Sequence, residues 1–281
     1  MTSNTKPAKT KEDIILTIVK VISILMMVCG IGVLIGFNVI SWQSQIQAEQ
    51  TVDRYREIYS SIDDEEKIRY RDQAIAYNQR LSGEQPAFEL MNYEAQLLYL
   101  HEPMMSYLDI PKLGIKLPVY HGTAEQELMN GIGHLEGSSL PIGGIPSNCV
   151  LLGHSGMKNA RMLDDLKEIE IGDKIVLWTL DDPYAYEVTD KVTVLPEVAE
   201  TMVGLADGKD QVMLITCTPY GINTHRLVVT AERCEYDENA PEYAETAIRI
   251  DEHRELPLII AAVLVISFLT PLIITKRRKK D

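Results

Sequence analysis

"LITCTPYGINTHRL", residues 214 to 227, ends one apolar run at Cys217 and begins another at His225. Pro219, Gly221 and Asn223 between them supply turn chemistry, so the two runs read as strands joined by a short loop. A thiol, an imidazole and a guanidinium (Cys217, His225, Arg226) therefore stand at the two lips of one loop. A cysteine at a strand mouth acts as a nucleophile when its thiolate is accessible and a base or cation lies near. The competing reading is a core thiol that merely caps "VMLIT".

Outward from this stretch, strand-like pieces dominate from Tyr107 onward. "YLDIPKLGIKLPVYHG", "NCVLLGH", "DKIVLWTL", "YAYEVTDKVTVL", "QVMLITC" and "HRLVVTAERCEY" are short apolar runs divided by Pro, Gly, Asn and Asp. "NARMLDDLKEIEIGD" reads as a short helix closed by Gly172. Many short strands with few helices predict a mainly β domain, a closed or nearly closed barrel, over 107–236. Alternation puts Arg226 on one face with Val228 and Thr230. If that face lines the barrel mouth, Arg226 is a fixed cation beside the thiol; otherwise it is an exposed arginine paired with one of the many acids.

Four histidines are candidates for the partner of Cys217: His121 in "PVYHGT", His134 in "GIGHLEG", His154 closing "CVLLGH", and His225 across the loop. Spacing alone does not choose among them. Cys29, Cys149 and Cys234 complete the thiols. The last two leave an odd set with Cys217 and no CxxC pair, so no disulfide framework is expected. "SLPIGGIPS" lacks the Lys-Ser/Thr of a phosphate loop, and no ligand spacing resembles a zinc site, so no cofactor or metal is expected.

Residues 41–106 differ in texture. "VDRYREIYSSIDDEEKIRYRDQAIAYNQRL" has Ile58, Ile62, Ile68, Ile75 and Leu81 at helical intervals, with Glu65–Arg69 at i,i+4, and predicts one or two helices. "SGEQPAF" breaks them, and "ELMNYEAQLLYL" reads as a further short helix.

Two apolar runs bracket all of this, 14–40 ("IILTIVKVISILMMVCGIGVLIGFNVI") and 256–275 ("LPLIIAAVLVISFLTPLIIT"). Each reaches the roughly 20 residues that a helix needs to span a bilayer. A signal peptide is the alternative for the first, but its apolar part exceeds a typical h-region and no Ala-x-Ala-like site follows. Lys6, Lys9 and Lys11 precede the first run, Lys20 lies near its start, and "KRRKK" follows the second. This predicts a cytoplasmic N-terminus (1–13), a basic cytoplasmic tail (276–281) and an external middle joined to the second span by an acidic linker, 237–255. These account for nine of the 27 Lys and Arg, and Glu12, Asp13 and Asp281 for three of 41 acids, so the middle carries about −20 and nucleic acid is an unsuitable partner.

Taken in order, "LDIPKLGIKLPVYHGT", "GIGHLEGSSLPIGG", "NCVLLGHSGM", "LKEIEIGDKIVL" and "VMLITCTPYGINTHRLVVTAER" resemble the sortases, the cysteine transpeptidases of Gram-positive cell surfaces. The resemblance is narrower still to class C, the pilin-polymerising sortases. It implies an eight-stranded sortase β-barrel preceded by helices, with His154, Cys217 and Arg226 as the catalytic residues and His225 as a neighbour of the site. It further implies cleavage of a Leu-Pro-x-Thr-Gly-like signal between Thr and Gly through a thioacyl intermediate. The partners implied are pilins or other surface proteins bearing that signal, and an amine from a pilin lysine or from peptidoglycan. Hydrolysis, and an inactive membrane scaffold that binds pilins, are the alternatives. Two departures stand out. The class C lid motif Asp-Pro-aromatic has only "EQPAF" as its nearest match, with Gln85 before Pro86 and no Asp, and Ser155 follows His154 where the family often has Arg.

Overall fold

The computed structural model describes residues 11–99, 103–157 and 160–237. The second apolar run, nearly all of the linker 237–255, the basic tail and most of the N-terminus 1–13 lie outside the described residues. Contacts divide the chain into two compact units, Met1–Ile40 with Arg254–Asp281, and Ser41–His253.

The first helix, α1, is assigned over Lys11–Ser61. Along its early turns Ile14, Ile15, Ile18, Val21, Ile22, Leu25, Met26 and Val28 are all exposed. Among the described residues no helix is long and apolar enough to cross a membrane, and only part of 14–40 belongs to that set.

In the second unit, α1 gives way at Ser61 to α2, Asp64–Leu81. Asp63 caps α2 by accepting from Glu66 N at 2.9 Å, and Asp64, Glu65 and Glu66 place negative charge at the positive end of the helix. Of the isoleucines that mark the helices, Ile62 is buried and Ile58 packs against the core, while Ile68 and Ile75 are exposed; Val52, Tyr55, Tyr59, Tyr70 and Ala74 are buried beside them. Tyrosine suits this seam because its ring fills apolar space while its hydroxyl satisfies backbone. Tyr55 Oη donates to Met105 O at 3.1 Å and accepts from Leu180 N at 3.1 Å; Tyr59 Oη donates to Leu97 O at 2.7 Å.

Eight strands form the closed barrel that the sequence predicts. They are β1 (Met104–Ile110), β2 (Ile115–His121), β3 (Ile132–His134), β4 (Ser147–Leu152), β5 (Lys174–Thr179), β6 (Asp182–Val194), β7 (Asp210–Thr218) and β8 (His225–Arg233). Around the barrel they run β1-β2-β3-β4-β7-β8-β6-β5, with β2–β3 and β4–β7 parallel and the other pairs antiparallel. Two short helices, α3 (Glu125–Asn130) and α4 (Pro196–Met202), were not foreseen. Conversely, "ELMNYEAQLLYL" forms only a 3-10 turn at Tyr93–Ala95, and the helix expected before Gly172 is a 3-10 turn at Asp164–Glu168.

Alternation sorts the strands into two apolar layers. Cys149, Leu151, Val212, Leu214, Leu227, Val229 and Ala231 belong to the main core. Their neighbours Val150, Met213, Ile215 and Val228 form a second cluster with Ala199 of α4, and Leu135, Leu152, Val194 and Met202 pack against it. This second layer lies on the outer face of the sheet.

Candidate active site

The β7–β8 ladder pairs Cys217 directly with Arg226, and Thr218 with His225. Cys217 continues the face of Met213 and Ile215, and Arg226 that of Val228. Both therefore belong to the outer sheet face, the face that Arg226 shares with Val228. Arg226 Nη1 donates to the carbonyls of His225 (3.1 Å) and Asn223 (3.3 Å).

His154 reaches the same face from the other side of β7. The parallel β4–β7 ladder pairs Leu152 with Ile215. Gly153 N continues it by donating to Ile215 O at 3.1 Å, while the buried Thr216 Oγ1 donates to Gly153 O at 2.7 Å. Ser155 Oγ then donates to the carbonyl of Cys217 itself. His154 lies two residues past the last ladder pair, outside β4, and the bonds of Gly153 and Ser155 on either side of it bring its backbone alongside the end of β7. Cys217 and Arg226 face each other on neighbouring strands, about 4.8 Å apart.

The loop after His154 is fixed as well. Gly156 N donates to Asp164 Oδ1 at 2.6 Å. Gly156 has φ +81°, and a Cβ there would sit 3.1 Å from Gly221 N, so only a glycine lets the two loops approach this closely without adjustment. On the solvent side, His154 Nε2 lies 3.6 Å from Glu125 Oε1 at the start of α3.

The other histidines are otherwise engaged. His225 follows the opposite alternation to Arg226, and its Nδ1 is 3.0 Å from Thr224 Oγ1. His121 Nε2 donates to Gln96 O at 2.7 Å, and burial lowers its pKa. His134 is completely buried. Its Nε2 donates to Ser139 O at 2.9 Å, which leaves Nδ1 to accept from Tyr93 Oη at 2.9 Å, and burial lowers its pKa to about 4. Cys149 is buried in the core, which pushes its thiol pKa well up. Cys234 lies 3.8 Å from Lys174 Nζ, and its thiol is raised by burial. Among the described residues no group of three or more His, Cys, Asp and Glu is placed to hold a metal ion.

Segment 82–99, the lid-like stretch, turns its contacts toward α2 and the strands. Gln73 of α2 accepts from Met91 N at 2.9 Å and donates to Glu89 O at 3.3 Å; Tyr93 bonds His134 and accepts from Gly122 N at 2.9 Å. Asn78 of α2 is buried and donates to Leu140 O and Gly143 O while accepting from Leu140 N. Ser155 and Thr216 carry no sequence signal for their bonds. Each is an ordinary hydroxyl until the fold brings segments 62 and 63 residues apart into register.

Comparison with known proteins is consistent with this arrangement. A family model described as "Sortase domain" matches residues 108–234. The chain is 28% identical over 222 residues to Sortase A of Bacillus anthracis, covering 76% of this chain and 94% of that one. Among solved structures, sortase C1 of GBS pilus island 1 superposes with a TM-score of 0.63 at 33% identity, covering 69% of this chain and 95% of that one. A crystal structure of sortase C1 from Streptococcus agalactiae gives 0.62 at 36% identity, covering 67% and 100%.

Proposed function

Because the chain belongs to the sortase family and is a cysteine transpeptidase, we propose that it cleaves a Leu-Pro-x-Thr-Gly-like signal and joins the product to an amine, that of a pilin lysine. In this reading Cys217 is the nucleophile, His154 the proton carrier and Arg226 the oxyanion partner. The Cys217 thiolate attacks the Thr carbonyl. As the C–S bond forms and the Thr–Gly C–N bond breaks, protonated His154 gives its proton to the departing glycine amine. Arg226 faces the oxygen on which charge develops. An amine then attacks the thioacyl carbonyl, its N–H proton passes to His154, and the thiolate is regenerated.

The observation that carries the reading is the Cys217–Arg226 cross-strand pair, with the Ser155 bond to Cys217 O bringing the neighbouring His154 alongside.

We further propose two spans, 14–40 and 256–275, with the domain 41–255 outside the cell. The basic flanks support this orientation. So does the face of exposed Ile, Leu, Val and Met on early α1, a surface matched to lipid rather than water. Tethering enzyme and membrane-held substrate to one surface raises their effective concentration. A second reading, attachment to a peptidoglycan amine or plain hydrolysis, is favoured by the missing Asp-Pro-aromatic motif.

The test is to incubate the full-length chain in detergent with a quenched Leu-Pro-x-Thr-Gly peptide, with and without a pilin lysine peptide, and to identify products by mass. An amide-joined product that disappears in Cys217→Ala supports the proposal. Cleavage without an amine-linked product favours hydrolysis, and joining that survives Cys217→Ala overturns the catalytic assignment.

A further inference from the structure

Glu125 is the first residue of α3, and its side chain is 76% exposed while its Oε1 lies 3.6 Å from His154 Nε2. The position of α3 is set by close packing. A Cβ on Gly133 of β3 would fall 2.9 Å from Leu128 Cδ2 of α3 and 2.5 Å from Gly122 O, so a bare glycine lets the helix seat directly on the strand. The helix start is thereby set beside His154, and the Glu125 carboxylate reaches the imidazole from solvent.

We propose that Glu125 docks the incoming acceptor amine in its ammonium form during the second half of the reaction, an inference that rests on the transpeptidase reading above. The charge sequence is the reason. Before acyl transfer, the carboxylate has protonated His154 as its counter-charge. When His154 gives its proton to the departing amine, the imidazole becomes neutral and Glu125 loses its partner at the moment when the thioacyl group sits on Cys217. An exposed carboxylate without a cation, beside an electrophile, draws a primary ammonium. The ammonium releases one proton to solvent, and its nitrogen attacks the thioacyl carbonyl. The C–N bond forms and the C–S bond breaks, one of the two remaining N–H protons goes to His154 while the other stays in the amide, and the thiolate returns. The Glu125–imidazolium pair is then restored. Water, having no charge to offer, gains nothing from the carboxylate, so the device favours joining over hydrolysis.

The test uses the full-length chain in detergent with a quenched donor peptide and two acceptors in competition: a lysine peptide, cationic at neutral pH, and hydroxylamine, uncharged there. In E125Q the ratio of lysine-linked product to hydroxamate should fall about two- to fivefold from the native value, the range of one exposed charge pair. In E125K it should fall further. An unchanged ratio overturns the proposal. That holds whether both products drop together, as when Glu125 only orients His154, or neither drops. Cys217→Ala run in parallel must lose both products; if it keeps them, the transpeptidase reading fails and not this inference alone.

Discussion

Lowering the pH from 7 to 5 should destabilise the folded domain by about 2 kcal/mol through His134 alone. Its imidazole is completely buried, with Nε2 bonded to Ser139 O and Nδ1 accepting from Tyr93, so the folded chain keeps it neutral and its pKa falls from 6.5 to about 4. In the unfolded chain it titrates at its ordinary value. Below pH 6.5 the unfolded chain therefore binds a proton that the folded chain refuses. The contribution is whole above that pH and is lost as pH falls toward 4. A gap of about 2.5 units amounts to about 3 kcal/mol in total, of which about 2 kcal/mol falls between pH 7 and 5. Urea unfolding followed by circular dichroism at pH 7, 6 and 5 measures it on the full-length chain. His134→Gln, whose amide donates to Ser139 O without titrating, should flatten the pH dependence by that amount even if it is less stable throughout. His121, also lowered by burial, remains as a smaller slope of the same sign. Parallel curves for the native chain and the variant would refute the reasoning.

Ser155→Ala removes the bond that ties the His154 loop to the Cys217 carbonyl, and should lower kcat about three- to tenfold, the equivalent of one neutral hydrogen bond, with rescue by Ser155→Thr. An unchanged kcat in steady-state peptide cleavage counts against that role. Arg226→Lys keeps the charge but loses the planar fork, and on the proposed mechanism kcat/KM should drop on the order of 100-fold; a change under threefold removes Arg226 from the reaction. Asn78→Ala strips three bonds from buried backbone groups at residues 140 and 143 and should destabilise by about 3 kcal/mol, read as a lower urea midpoint. A loss under 1 kcal/mol means that water replaces the amide.

The strands were legible because short β-branched runs end in Pro and Gly, and seven of the eight arise from apolar runs quoted from the sequence. The three-residue β3 has too little pattern to stand out, and α3 and α4 are each less than two full turns. Helical spacing located α2 but did not choose its buried face. Ile68 and Ile75 carry the periodicity, yet Tyr70, Ala74 and Asn78 make the contact, because the seam selects hydroxyl and amide groups that bond backbone. At the site, the Cys217–Arg226 pairing follows from one hairpin. The proposed choice of His154 over His121, His134 and His225 does not, since it depends on a parallel ladder between segments 63 residues apart. Resemblance to a family supplied that choice where local pattern was silent. Alternation likewise said which residues share a face, but only the seating of α4 showed that the face points outward.

Along β7, Val212, Leu214 and Thr216 answer to the interior while Met213, Ile215 and Cys217 answer to the other side. Structural upkeep and chemistry are thus interleaved on a single segment at alternate residues, so each can drift by substitution without disturbing the other. The arrangement is vulnerable to length instead: one residue inserted before Leu214 exchanges the two sets, directing the sulfur inward and the threonine to solvent, with every amino acid type preserved.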